Sequence, residues 1–192
     1  MDEFGLKVLG WKARLKIERE EKNRFFILDP RSPIPREERR SLIGKGLSYY
    51  PPDPDLLFKL VFHEHKEKER VEVSTTEGGV QEFIRWGEFR FNVGEKRCML
   101  QAYKSDAEEK RLWVPFRDTT SGKETYGAGR YLDLEPERHR ITEGKWIVDF
   151  NKAYNPWCAY SKAYTCPFIP PENWLKVPIR AGEKRYCLGK EY

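Results

Sequence analysis

The stretch "LLFKLVFHEHKEKERVEVSTTEGGVQEFIRWGEFRFNVGEKRCMLQAYKS", Leu56–Ser105, decides the fold. In "LLFKLVFHEH" the residues Phe58, Leu60 and Phe62 fall on one side of an alternating run, the period of a strand with one buried face. "RVEVSTT" alternates too, and Glu77–Gly79 reads as a turn. "VQEFIRW" and "EFRFNV" follow around Gly87, and "GEK" at Gly94–Lys96 turns the chain into "RCMLQAYKS". Working outward, "RLWVPFRD", "RYLDLE" and "KWIVDF" are further strands, with "DAEEK" and "PERHRITEG" as polar connections. Strand after strand without helix patterns predicts an all-β, mainly antiparallel meander of about eight short strands, closed as a small barrel or stacked as a sandwich.

Upstream the pattern changes. Phe4, Val8, Trp11 and Leu15 recur at helical spacing, which predicts an N-terminal amphipathic helix reaching about Arg24. Pro30, Pro33 and Pro35 then stop it. "PREERRSLIGKG" reads as one more short helix, and "YYPPDPD" as a rigid extended turn. The division expected is a helical segment over 1–45 packed on the barrel, and a single barrel-like domain over 46–192. Its residues 151–184, rich in Pro, Tyr and Asn, form a long ordered C-terminal segment wrapped on the strands.

Composition bounds the function. Charged residues make up 35% of the chain, and Gln and Met occur twice each, as in heat-adapted proteins. The net charge is +5, but no dense basic run occurs and "REERR" is interrupted by two Glu, so no nucleic-acid partner is expected. No apolar run reaches the ~20 residues of a membrane helix and the start has no signal-peptide character, which predicts a cytoplasmic protein without a membrane partner. Oligomeric state and cofactor have no signature here. Among four cysteines, Cys158 and Cys166 are spaced for a bridge or stand as free thiols, and no zinc pattern exists. His63 and His65 share a strand face without a third ligand, so no metal site is expected.

"SGKET" lacks the first Gly of a phosphate loop and carries Glu124 after Lys123, and "YGAGRY" lacks the third Gly of a dinucleotide loop. The remaining constellation is "FRDTTSGKETYGAGRYLDL", Phe116–Leu134. Arg117, Asp118, Arg130 and Asp133 stand at two strand ends, with Thr120, Ser121, Tyr126 and Tyr131 among them. Asp149 is expected to point inward, and the pairing expected is Arg117 or Arg130 with Asp133 or Asp149. Arginine forks bind carboxylate or phosphate, and Asn151, Tyr154 and Asn155 supply hydrogen-bonding side chains beside aromatic surface. The same residues would equally pin the loop and the tail.

"PFRDTTSGKETYGAGRYLDL" and "DFNKAYNPWCAYSKAYTCPFIPPENWLKVPIRAGEK" resemble the signatures of the family called domain of unknown function 1684, and "GLSYYPPDPD" and "WKARLKIEREEKNRFF" resemble its earlier blocks. The likeness runs from about residue 11 to Lys184, with Trp157 and Trp174 as departures. It implies weight on the motif residues, among them Cys158, Cys166, Glu172 and Asn173, and carries no activity. The function expected is binding of a small anionic ligand at one end of the barrel by Arg117, Thr120, Ser121, Tyr126, Arg130, Asn151, Tyr154 and Asn155. One alternative is a hydrolase-type enzyme using Asp118 or Asp149 as base. The other is a protein-interaction module in which the Arg–Asp cluster is structural.

Overall fold

The computed structural model describes residues 3–186. Helix α1 (Glu3–Leu28) precedes strands β1 (Leu57–Ser74), β2 (Val80–Val93), β3 (Lys96–Lys104), β4 (Leu112–Phe116), β5 (Arg130–Leu134), β6 (Arg140–Thr142) and β7 (Lys145–Asp149). A single helical turn, α2 (Pro136–His139), links β5 to β6. Every strand pairing is antiparallel, in the order β5-β4-β3-β2-β1-β7-β6. The ladder ends at β5 and at β6. An open seven-stranded sheet therefore replaces the closed barrel or two-sheet sandwich, and the 26-residue α1 makes the chain mostly rather than wholly β. No helix among the described residues is long and apolar enough to cross a membrane.

The strand count differs because two apparent breaks are bulges. Glu64 pairs with Gly87 and Glu69 with Arg85, so residues 65–68 oppose Trp86 alone. On the other side Arg85 pairs with Tyr103 and Gly87 with Ala102, leaving Trp86 as an extra residue there too. The runs read as four strands are thus two long ones, each bent at this point, and a bulge adds local twist. Gly87 makes the bend fit: a Cβ there would lie 2.5 Å from Phe62 Cζ and 2.6 Å from the His63 carbonyl oxygen.

The bend lets one face of the sheet close on itself. Phe58, Leu60 and Phe62 meet Phe89, Phe91, Leu100, Ala102, Val114, Phe116, Leu132, Leu134, Trp146 and Val148 in one core. Val177, Ile179 and Ala181 of the C-terminal segment enter it as well. On the opposite face Val73, Phe83, Tyr103, Trp113 and Tyr131 lie under Tyr154 and Ile169. Tyr154 also exchanges both backbone hydrogen bonds with Tyr131, at 2.9 and 3.1 Å, which covers the β5 edge.

The expected helix forms and runs on to Leu28. The side chains of Phe4 and Val8 lie outside the described residues. From Trp11 the same helical face turns polar. The Trp11 indole donates to Asp149 Oδ2 (2.8 Å), Leu15 is buried, and Arg19 donates to the carbonyls of Tyr50 (2.9 Å) and Asn151 (3.3 Å). Asn23 Oδ1 accepts from the Leu47 N–H at 2.9 Å. Of the short helix expected after Pro35, one 3-10 turn forms, Arg39–Leu42.

Candidate functional site

The polar loop between β4 and β5 is built around Arg130, whose side chain is fully buried. Its Nη2 pairs with Asp118 Oδ2 at 3.0 Å and donates to the Ile179 carbonyl at 2.8 Å. Its Nη1 donates to the carbonyls of Ala181 and Glu183. Asp118 Oδ1 accepts from the N–H groups of Thr120 (2.8 Å) and Ile179 (3.2 Å). The expected partners Asp133 and Asp149 are therefore replaced by Asp118, because Arg130 reaches along the loop and the tail rather than across the sheet. Thr120 bonds Thr125 through their hydroxyls (2.9 Å), and Ser121 Oγ accepts from the Asp118 N–H (3.2 Å). Gly129, at φ 102°, has no room for a Cβ, which would stand 2.7 Å from the Phe116 carbonyl oxygen. Arg117 points elsewhere and stacks on the Trp174 ring at 4.6 Å.

The other expected residues are also placed internally. Trp146, Val148 and Phe150 take the core face, so Asp149 points away from it, against α1 and Trp11. Its Oδ1 accepts from the backbone and side-chain amides of Asn151 at 3.0 and 2.9 Å. Asn151 in turn clips Asp53 through both backbone groups, at 2.8 and 2.7 Å. The Tyr154 hydroxyl donates to Asp133 Oδ2 (2.6 Å), and burial, then Asp133, push it well above an ordinary phenol. Asn155 takes its N–H to Glu183 Oε2 (2.8 Å) and its side chain to the Lys184 carbonyl (2.9 Å). The Tyr126 hydroxyl reaches Cys158 Sγ at 3.7 Å. Asp118 and Asp149 thus spend their oxygens on fixed internal donors.

A cavity of about 570 Å³ opens at the other end of the curled sheet, where β3 ends and β4 begins. Phe62, Trp86, Leu112 and Trp146 form its apolar lining, with Lys104, Lys110 and Arg140 as cations and Glu64, Glu137 and Glu143 as anions. Lys104 is 9% exposed. Leu100, Ala102 and Lys104 alternate on the core face of β3, so Lys104 continues an apolar row with an ammonium. That ammonium stands 3.7 Å from the Trp86 ring centroid. Lys68, 4.2 Å from the same ring, is matched by Glu64 at 2.8 Å, whereas Lys104 forms no ion pair among the described residues. Burial and the Lys68 charge lower the Lys104 pKa from 10.5, and Glu64, Glu109 and Asp106 oppose that. Sequence reasoning passed over this end. The available signal was the charge at the third position of an inward row.

No group of three His, Cys, Asp or Glu among the described residues is placed to hold a metal ion. Over residues 45–184 the sequence matches the family described as "Protein of unknown function (DUF1684)". An uncharacterized protein of Haloarcula marismortui, solved in solution by NMR, is similar in structure, with a TM-score of 0.71 and 38% identity over 96% of this chain and 97% of that one. No curated protein matches.

Proposed function

We propose, for a chain that belongs to the DUF1684 family of proteins of unknown function, that it binds a small organic anion with a flat apolar body. The site is the cavity at the β3–β4 end, not the β4–β5 loop. One observation carries this reading: Lys104, a largely buried residue, holds its ammonium against Trp86 and at a 570 Å³ space without a paired carboxylate. A charge partly withdrawn from water and without a partner is costly in proportion to its burial. An incoming carboxylate would neutralise it while Phe62, Trp86 and Trp146 pack the ligand's body. The hydrogen-bonded state of Arg130, Asp118, Asp149 and Asn151 supports a structural role for the residues first expected to bind.

The test is calorimetric titration with benzoate, phthalate and inorganic phosphate, with tryptophan emission followed in parallel. The aromatic carboxylates are expected to bind and to perturb emission. Lys104→Met is expected to weaken them by about tenfold or more, which corresponds to ~1.4 kcal/mol. Affinity should also fade as pH rises through the lowered Lys104 pKa, below the 10.5 of an exposed lysine, because only the ammonium attracts the anion. Unchanged affinity in Lys104→Met, or binding by none of the three, overturns the reading.

A further inference from the structure

We infer that Cys158 and Cys166 form a peroxide-reactive dithiol, in which Cys166 attacks and Cys158 resolves the product as a disulfide. The Cys158 N–H donates to Cys166 Sγ at 3.4 Å, which brings the two residues together across their eight-position loop. The Tyr126 hydroxyl stands 3.7 Å from Cys158 Sγ. Cys166 is held on the β1–β2 hairpin: its N–H donates to Thr76 Oγ1 (3.1 Å) and its carbonyl accepts from the Thr76 N–H (3.0 Å). Cys158 sits instead on a single 3-10 turn, Trp157–Ala159, and is half-buried. One sulfur is therefore anchored and the other rides on a short turn.

The two thiols are electrostatically unequal, which supports the assignment of roles. The Cys158 thiol and the backbone N–H groups of Cys158 and Trp157 hold Cys166 down at about 6, against burial. The neighbouring Cys166 sulfur, with burial, pushes the Cys158 thiol up. Tyr126 and Tyr131 are the other titratable groups acting on the pair, and burial keeps both as neutral phenols. The donors around Cys166 favour its charged form over that of Cys158, and the thiolate is the nucleophile.

The chemistry balances with a hydroperoxide as oxidant. The Cys166 thiolate attacks the terminal oxygen, the O–O bond breaks, and the departing alkoxide takes a proton and leaves as alcohol (water, from hydrogen peroxide). Cys166 becomes a sulfenic acid. The Cys158 sulfur then forms the S–S bond and displaces hydroxide, which takes the Cys158 proton and leaves as water. Two electrons from two sulfurs reduce one peroxide bond.

Tryptic mapping of the full chain tests this, since Lys162 separates Cys158 from Cys166 and each remaining cysteine falls on its own peptide. One equivalent of hydrogen peroxide at pH 7, followed by iodoacetamide, should yield the 158–166 cross-linked peptide about tenfold faster than any oxidation of Cys98, and unfolding in guanidinium should abolish that preference. In Cys158→Ser, dimedone should trap the sulfenic acid on Cys166. In Cys166→Ser, Cys158 should stay reduced. A reduced pair after peroxide in the wild type, or a first adduct on Cys158 or Cys98, overturns the inference.

Discussion

Arg130 and Arg117 are thirteen positions apart in one loop, and read as letters they are equivalent. Their surroundings make them unequal. Arg130 spends its guanidinium on Asp118 and on three tail carbonyls, whereas Arg117 lies over Trp174. Arg130→Met strands a buried carboxylate, and urea unfolding should show a loss of about 3–5 kcal/mol. Arg117→Met gives up a stacking contact and should cost no more than about 1 kcal/mol. Equal losses would contradict the brace. The sequence made the polar loop legible as a place where charge had to be matched. It left the partner open, because Arg130 is satisfied mostly by carbonyls of residues 179–183, and a backbone carbonyl has no letter.

At the scale of the element, β1 and β2 show what alternation does and does not carry. The pattern was interrupted at Glu64–Glu69 and at Gly87, and the structure bends at those same points. Periodicity reported the interruption. It could not separate a turn from a bulge, since both break the row and only the strand pairing on either side of the break tells them apart. Gly87→Ala forces a Cβ onto Phe62 and the His63 carbonyl, and thermal or urea unfolding should register about 1–3 kcal/mol of destabilisation. Because Trp86 is the residue displaced by the bulge, benzoate affinity should fall in the same variant. Asn173 is a second device of this kind. Its side chain bonds both backbone groups of Gln101 (2.8 and 2.9 Å) and the Pro115 carbonyl (2.6 Å), and so joins β3 to β4 where their ladder has a single registered pair. The family resemblance marked Asn173, but the reason is visible only with both strands in place.

Over the whole molecule, the sheet was legible and its closure was not. Each run's alternation places an inner and an outer face, yet nothing in it says whether the last strand meets the first. Here β5 is covered by Tyr154, and the core is filled by Val177, Ile179 and Ala181, so the tail does what a closing strand would do. The tail is joined to α1 as well. Buried Glu183 accepts the Lys22 ammonium, the Tyr160 hydroxyl and the Asn155 N–H. Burial and Glu183 together push the Tyr160 hydroxyl far up. Glu183→Gln should speed amide hydrogen exchange in α1 and in residues 153–186 together while leaving β2 and β3 protected. Faster exchange confined to the tail would sever that link.

Lys22 and Glu183 lie far apart in sequence, and that spacing matters while the polypeptide is being made. Domains emerge and fold from the N-terminus during synthesis. Lys22 of α1 finds its carboxylate only when Glu183 has left the ribosome, and Arg130 waits for the same stretch to supply its carbonyls. A polypeptide cut short before Ile179 would hold an unsatisfied guanidinium and a helix lacking its Lys22 anchor. Docking of Lys22 and neutralisation of Arg130 thus both wait on the same short stretch, residues 179–183.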